Sequence, residues 1–284
     1  MAMKLGIHAY AWCSKWTNET LDLIDRVKNL GMDFIEIPLM SLETFDADAI
    51  RERLRRVDLG AVTSTVLLND TDITSDDPSI RARGVDYLLR CVDATADIGA
   101  TSFSGVIYSQ HVKDAHARPT EEAWHHSAQA LRQVADRAAD RNILIALEPV
   151  NRYETYLVNT CEQALYLREL IGRDNVKVHL DTYHMNIEEK DFYEATVRAG
   201  KHLIHYHLCE NDRGIPGTGQ VDWDGIFRGL AEIGYQGNAA LESFVDVTDN
   251  MNTWVWRQLA PDGDTLLREG AEFIRTKQRE YGLA

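Results

Sequence analysis

Short apolar, β-branched runs alternate with longer stretches whose apolar positions recur every three or four residues, and this continues from end to end. The short runs read as strands: Lys4–His8, Phe34–Pro38, Ala61–Leu67, Ser102–Ile107, Leu144–Glu148, Val176–Asp181, Leu203–Leu208 and Asn238–Glu242. A helical pattern follows each of them. In TNETLDLIDRVKNLGMD, Thr17 or Asn18 can cap the start, Leu21, Ile24, Val27 and Leu30 form an apolar stripe, and Gly31 ends it. Further helices are expected near Ala47–Asp58, Pro78–Ile98, Thr120–Arg141, Thr160–Ile171, Asp191–Gly200, Trp223–Ile233 and Gly263–Tyr281.

Strand–helix units that fill a chain without linkers imply parallel strands, and right-handed crossovers leave few ways to arrange them. The closed solution for eight units is the (β/α)8, or TIM, barrel, expected here as one domain over residues 1–284. An open doubly wound sheet would usually carry a Gly-rich phosphate loop after its first strand, and HAYAWCSKW is not one.

The formal net charge of −15 argues against nucleic acid, whose binding needs a basic footprint, and against anionic membranes. Four scattered cysteines, Cys13, Cys91, Cys161 and Cys209, form no disulfide framework or zinc knuckle. With no signal-like or membrane-spanning run, a cytoplasmic location is expected.

Barrel chemistry sits where strands end. Glu148, Asp181, His207 and Glu242 stand at the ends of the fifth to eighth strands, so all four should face one volume. Three carboxylates and an imidazole suit octahedral Mn2+ or Mg2+, with Co2+ able to substitute. Without a cation, three crowded carboxylates would raise one another's pKa and cost stability. A slip of one residue would turn a ligand outward, and His205, on the same strand face as His207, is the alternative. Glu154, His184 and Arg213 lie in the loops after these strands and can arch over the mouth. GIPGTG lacks the lysine of a phosphate loop and reads as a turn that folds Arg213 inward. Trp12, Trp16 and Phe244 could wall one side. One metal can hold two neighbouring oxygens of a hydroxy ketone, and Glu148 and Glu242 can then face each other across it, which tilts the reading toward epimerisation.

The stretches IALEPVNRYETYLVNT, VKVHLDTYHMNIEE, HLCENDRGIPGTGQVDW and ALESF resemble the ketose 3-epimerase family, which includes D-tagatose, D-psicose (allulose) and L-ribulose 3-epimerases, within the wider xylose isomerase-like barrels. KLGIHAYAWCSKWT and GMDFIEIPL fit as well, so the resemblance spans essentially the whole chain. It implies one Mn2+ held by Glu148, Asp181, His207 and Glu242, with the two glutamates as the acid–base pair. It implies that Glu154, His184 and Arg213 hold the reacting end of a free sugar, and that Trp16 and Phe244 pack on its far end. It departs at His8, where an aromatic wall residue is expected, and this leaves the preferred ketose open. It also implies a homodimer or homotetramer, for which Trp254 and Trp256 could supply a surface.

Three other readings remain. An isomerase of the same superfamily, acting for example on hydroxypyruvate or an inosose, would keep most ligands. A barrel endonuclease would want more histidines and a basic groove. A sugar-binding module would not need two opposed glutamates.

Overall fold

A computed structural model describes residues 2–112, 118–245 and 255–284. Its strands are β1 Lys4–His8, β2 Phe34–Pro38, β3 Gly60–Leu67, β4 Ser102–Gln110, β5 Leu144–Leu147, β6 Val176–Asp181, β7 Leu203–His207 and β8 Asn238–Leu241. All pair in parallel in the order β1 to β8, and β8 returns to β1 with Ile7 opposite Leu241, so the barrel closes.

Around it run α1 Asp22–Asn29, α2 Ala47–Val57, α3 Pro78–Asp97, α4 Glu121–Asp140, α5 Cys161–Ile171, α6 Thr182–Glu188, α7 Phe192–Ala199, α8 Trp223–Glu232 and α9 Gly263–Glu280. The caps explain where they start: Thr160 forms a capping box with Gln163, and Thr120 and Asp77 accept from backbone N–H groups of the first turns of α4 and α3. Thr17 instead caps a short 3-10 turn, Asn18–Thr20, and α1 begins after it. Gly31, at φ 81°, ends α1 in the left-handed region that glycine enters most easily.

Helix α6 departs from the sequence pattern, which has no periodic apolar stripe there. It exists because Asp181 Oδ1 accepts from the Tyr183 N–H at 2.7 Å, capping a turn directly off the strand end. One carboxylate thus starts a helix with Oδ1 and leaves Oδ2 facing the barrel mouth. No helix among the described residues is long and apolar enough to cross a membrane.

Candidate active site

Glu148 directly follows β5, Asp181 ends β6, His207 ends β7 and Glu242 directly follows β8. All four are buried, at 8% exposure or less. They converge on one atom: His207 Nδ1 lies 3.5 Å from Glu148 Oε1, 3.6 Å from Asp181 Oδ2 and 3.4 Å from Glu242 Oε2. That nitrogen is buried and makes no hydrogen bond, while Nε2 of the same ring donates to Glu36 Oε2 at 2.9 Å. A neutral ring that donates from Nε2 carries its lone pair on Nδ1. An imidazole lone pair enclosed by three carboxylates is a donor set fit for a hard or borderline divalent cation. Glu148, Asp181 and His207 have ligand atoms within 4.8 Å of one another.

The charges agree with that fit. Burial opposes an imidazolium at His207, but Glu36 and Glu242 outweigh it and push the pKa well above the usual histidine range. The place therefore favours positive charge. Burial raises Glu148 to about 7 against the opposing pull of His207, with Glu242 and Asp181 adding to the rise. Burial would also raise Glu242, yet Arg213 and His207 hold it near 2. Two carboxylates of one site are thereby driven apart, the usual arrangement of an acid and a base.

Arg213 Nη1 donates to Asp181 Oδ2 at 2.7 Å and to Glu242 Oε2 at 2.6 Å. Its guanidinium carbon stands 4.1 Å from the Tyr183 ring centre and 5.5 Å from that of Phe244. Its backbone is in the left-handed region, φ 68°, which costs energy for a residue with a Cβ. The loop holds it there: Arg213 N–H donates to Glu210 O at 2.9 Å, and Ser243 Oγ donates to Arg213 O at 2.6 Å. GIPGTG is indeed turn structure, wrapped around a carboxylate of the chain itself. Glu210, fully buried, accepts from the N–H groups of Asn211, Gly217 and Val221 and from Trp223 Nε1, at 2.9 to 3.1 Å. Glu210→Ala is expected to destabilise the fold by at least about 3 kcal/mol, because each buried donor left unpaired costs about 1–3 kcal/mol. Urea unfolding checks the loss, and a raised KM checks the displacement of Arg213.

Glu154 and His184 are joined through Asn151. Its Nδ2 lies 2.7 Å from Glu154 Oε1 and 2.9 Å from His184 Nδ1, and its backbone N–H donates to the same Nδ1 at 3.2 Å. This leaves His184 Nε2 facing Arg213 Nη2 at 3.2 Å. Burial would raise Glu154, but His184, His111 and Arg213 hold it near 2, so it stays ionised. His111 Nε2 lies 3.0 Å from Glu154 Oε2.

A cavity of about 650 Å³ opens above the cluster, with Glu148, Glu154, His184, Arg213 and Glu242 in its lining. Phe244 lines it too, with Tyr10 beside it at 5.5 Å between ring centres.

Three wall candidates lie elsewhere. Trp16 is buried in the hydrophobic core at 2% exposure and does not line the cavity. Trp12 turns away, its Nε1 donating to Asp264 Oδ1 at 3.1 Å. His8 lies beneath the wall: its Nδ1 accepts from the Tyr10 N–H, its Nε2 pairs with Ser64 Oγ at 2.9 Å, and Tyr10 stacks on it at 4.0 Å. A residue that ends a strand pointing inward fills the barrel, and the next turn carries the wall. Trp256 is 81% exposed, and Trp254 lies outside the described residues.

Sequence reading also missed Tyr10, His111, Tyr183 and Glu36. Glu36 carried a signal, a lone acid inside the apolar run FIEIP. It stands mid-strand, whereas barrel chemistry is sought at strand ends. His205, the alternative ligand, pairs with the same carboxylate as His207, Nε2 to Glu36 Oε2 at 2.7 Å.

A closed parallel barrel with a buried carboxylate–imidazole cluster at the carboxyl ends of its strands has the form of a barrel enzyme for a small molecule. The family model described as xylose isomerase-like TIM barrel matches residues 24–277. The chain is 39% identical to the ketose 3-epimerase of Arthrobacter globiformis over 281 residues, covering 97% of this chain and 96% of that protein. It is 36% identical over 281 residues to the L-ribulose 3-epimerase of Methylomonas sp. (strain DH-1), covering 97% and 98%. A crystal structure of D-allulose 3-epimerase from Methylomonas sp. in complex with D-allulose superposes with TM-score 0.92 at 36% identity, covering 97% of each chain. The chain belongs to the xylose isomerase-like TIM barrel family and, within it, to the ketose 3-epimerases, which makes it an isomerase acting on carbohydrate.

Proposed function

We propose that this protein interconverts the C3 epimers of free ketoses: D-fructose with D-psicose, D-tagatose with D-sorbose, and L-ribulose with L-xylulose. The observation that carries the proposal is His207 Nδ1, buried without a hydrogen bond between Glu148 and Glu242, at 3.5 and 3.4 Å. Glu148, Asp181, His207 and Glu242 would hold one divalent cation, with Mn2+ favoured by the oxygen-rich set and Mg2+ or Co2+ able to replace it. When bound, such an ion supplies a Lewis acid to the oxygens of the hydroxy ketone and so lowers the cost of removing the C3 proton.

The remaining chemistry belongs to side chains of this chain. Glu242, held ionised by Arg213, takes the C3 proton from one face of the sugar. Glu148, on the other side of His207, returns a proton on the opposite face of the planar enediolate. The roles exchange in the reverse direction. Arg213 and His184 donate to the oxygens next to the reacting carbon, and ionised Glu154 accepts from a hydroxyl. Tyr10 and Phe244 offer an apolar wall to the C–H face beyond. A cytoplasmic homodimer or homotetramer completes the reading, with the exposed Trp256 as one candidate contact.

Turnover of D-fructose, D-tagatose and L-ribulose in D2O tests it. Deuterium at C3 of both epimers is expected. Deuterium at C1 or C2 alone would move the protein to the isomerases of its superfamily.

A further inference from the structure

Glu36, on β2, plays no part in the chemistry above, yet its carboxylate is 0% exposed in the middle of the barrel. Its Oε2 receives two imidazoles from β7, His205 Nε2 at 2.7 Å and His207 Nε2 at 2.9 Å. Its Oε1 makes no hydrogen bond and faces His8 Nε2 at 3.8 Å. An ionised carboxylate can only accept. It therefore dictates that both rings carry their hydrogen on Nε2.

For His205 this has no evident consequence, because its Nδ1 is buried without a partner. For the neutral His207 ring it decides which nitrogen is bare, and that nitrogen is the one enclosed by Glu148, Asp181 and Glu242. The neighbouring ring of His179 packs edge-on to His207 at 4.1 Å, but neither of its nitrogens has a hydrogen-bond partner. Among the described residues, Glu36 is thus the hydrogen-bonding brace on the far side of the His207 ring. Without it, His207 could shift its hydrogen to Nδ1, where it would bond a carboxylate and block the lone pair.

We propose that Glu36 is a positioning residue: reaching across from β2, it locks His207 as the Nε2–H tautomer and so keeps Nδ1 open to a divalent cation. The inference rests on the metal-dependent reading of the site. Braces of this kind typically change metal affinity by about 10- to 100-fold.

The test compares wild type with Glu36→Gln and Glu36→Asp by Mn2+ titration, reading free Mn2+ by electron paramagnetic resonance. Thermal unfolding of the metal-free proteins and 15N histidine spectra with Mg2+ added accompany it. For Glu36→Gln a Mn2+ Kd raised about 10- to 100-fold is expected, with one histidine losing its pure Nε2–H pattern. Glu36→Asp, which keeps a carboxylate that can only accept, should fall between the two. A folded Glu36→Gln that binds Mn2+ within about threefold of wild type and keeps its histidine pattern overturns the proposal, whatever its Tm. Should Glu36→Gln not fold, Glu36→Asp decides: a Kd raised severalfold supports the proposal, and a wild-type Kd overturns it. Absence of Mn2+ binding in the wild type would instead sink the metal reading, and the histidine spectra would then decide the tautomer question by themselves.

Discussion

Protein treated with EDTA is expected to lose all measurable epimerisation and to recover it on addition of Mn2+, with a matching rise in Tm. Two effects act together. Glu148, Asp181 and Glu242 are buried around His207 Nδ1, and Arg213 is bonded to only two of these carboxylates, Asp181 and Glu242. A divalent cation relieves the remaining repulsion at the point where the carboxylates are closest. It also binds the folded chain and not the unfolded one. At a free Mn2+ concentration of about a hundred times Kd, mass action adds about 2.7 kcal/mol. For a chain of this size that is a rise of roughly 5 °C. Calorimetry with and without Mn2+ measures it alongside turnover. Full activity in chelator, or a Tm indifferent to Mn2+, would remove the metal from the account.

Glu242→Gln is expected to lower kcat by at least about a thousandfold. A positioned acid–base group contributes about 10²- to 10⁴-fold, and this one also stands among the candidate ligands. The amide cannot accept a proton from C3, and it removes a negative charge that faces both Arg213 and His207. Epimer formation should vanish, whereas exchange of deuterium into C3 should survive only for the epimer whose C3–H faces Glu148, since that proton can still be removed and returned on one face. Sugar binding should change much less, because Glu154, His184 and Arg213 remain. A variant within tenfold of the wild-type kcat would mean that Glu242 is not a base, and the reading of two opposed glutamates would fall with it. Affinity for the sugar measured by calorimetry separates this from a site that has simply collapsed.

The architecture was legible because its signal repeats. Each strand is a short apolar run and most helices carry their own caps, so an error at Leu208 or Glu242 of one residue left the count and order intact. The four convergent side chains were legible for the same reason. In a parallel barrel every strand end of one sense lies on one rim, so Glu148, Asp181, His207 and Glu242 share a place once the closure is known. Helix α6 was not legible, since one capping oxygen of Asp181 creates it without any periodic stripe. Nor was the brace on His207, because Glu36 and His207 are 171 residues apart and meet only across the barrel interior.

The sequence by itself therefore determined the period of the chain, the closure of its strands and the identity of the groups on the rim, all of which follow from local pattern. Only the tertiary structure decided that Tyr10 rather than His8 or Trp16 forms a wall. It alone decided that Glu210 shapes the loop of Arg213 and that Glu36 chooses the nitrogen His207 presents. Local pattern records which face of a strand is buried. Which partner a buried polar atom finds depends on ångström-scale distances between residues far apart in the chain, and packing sets those distances.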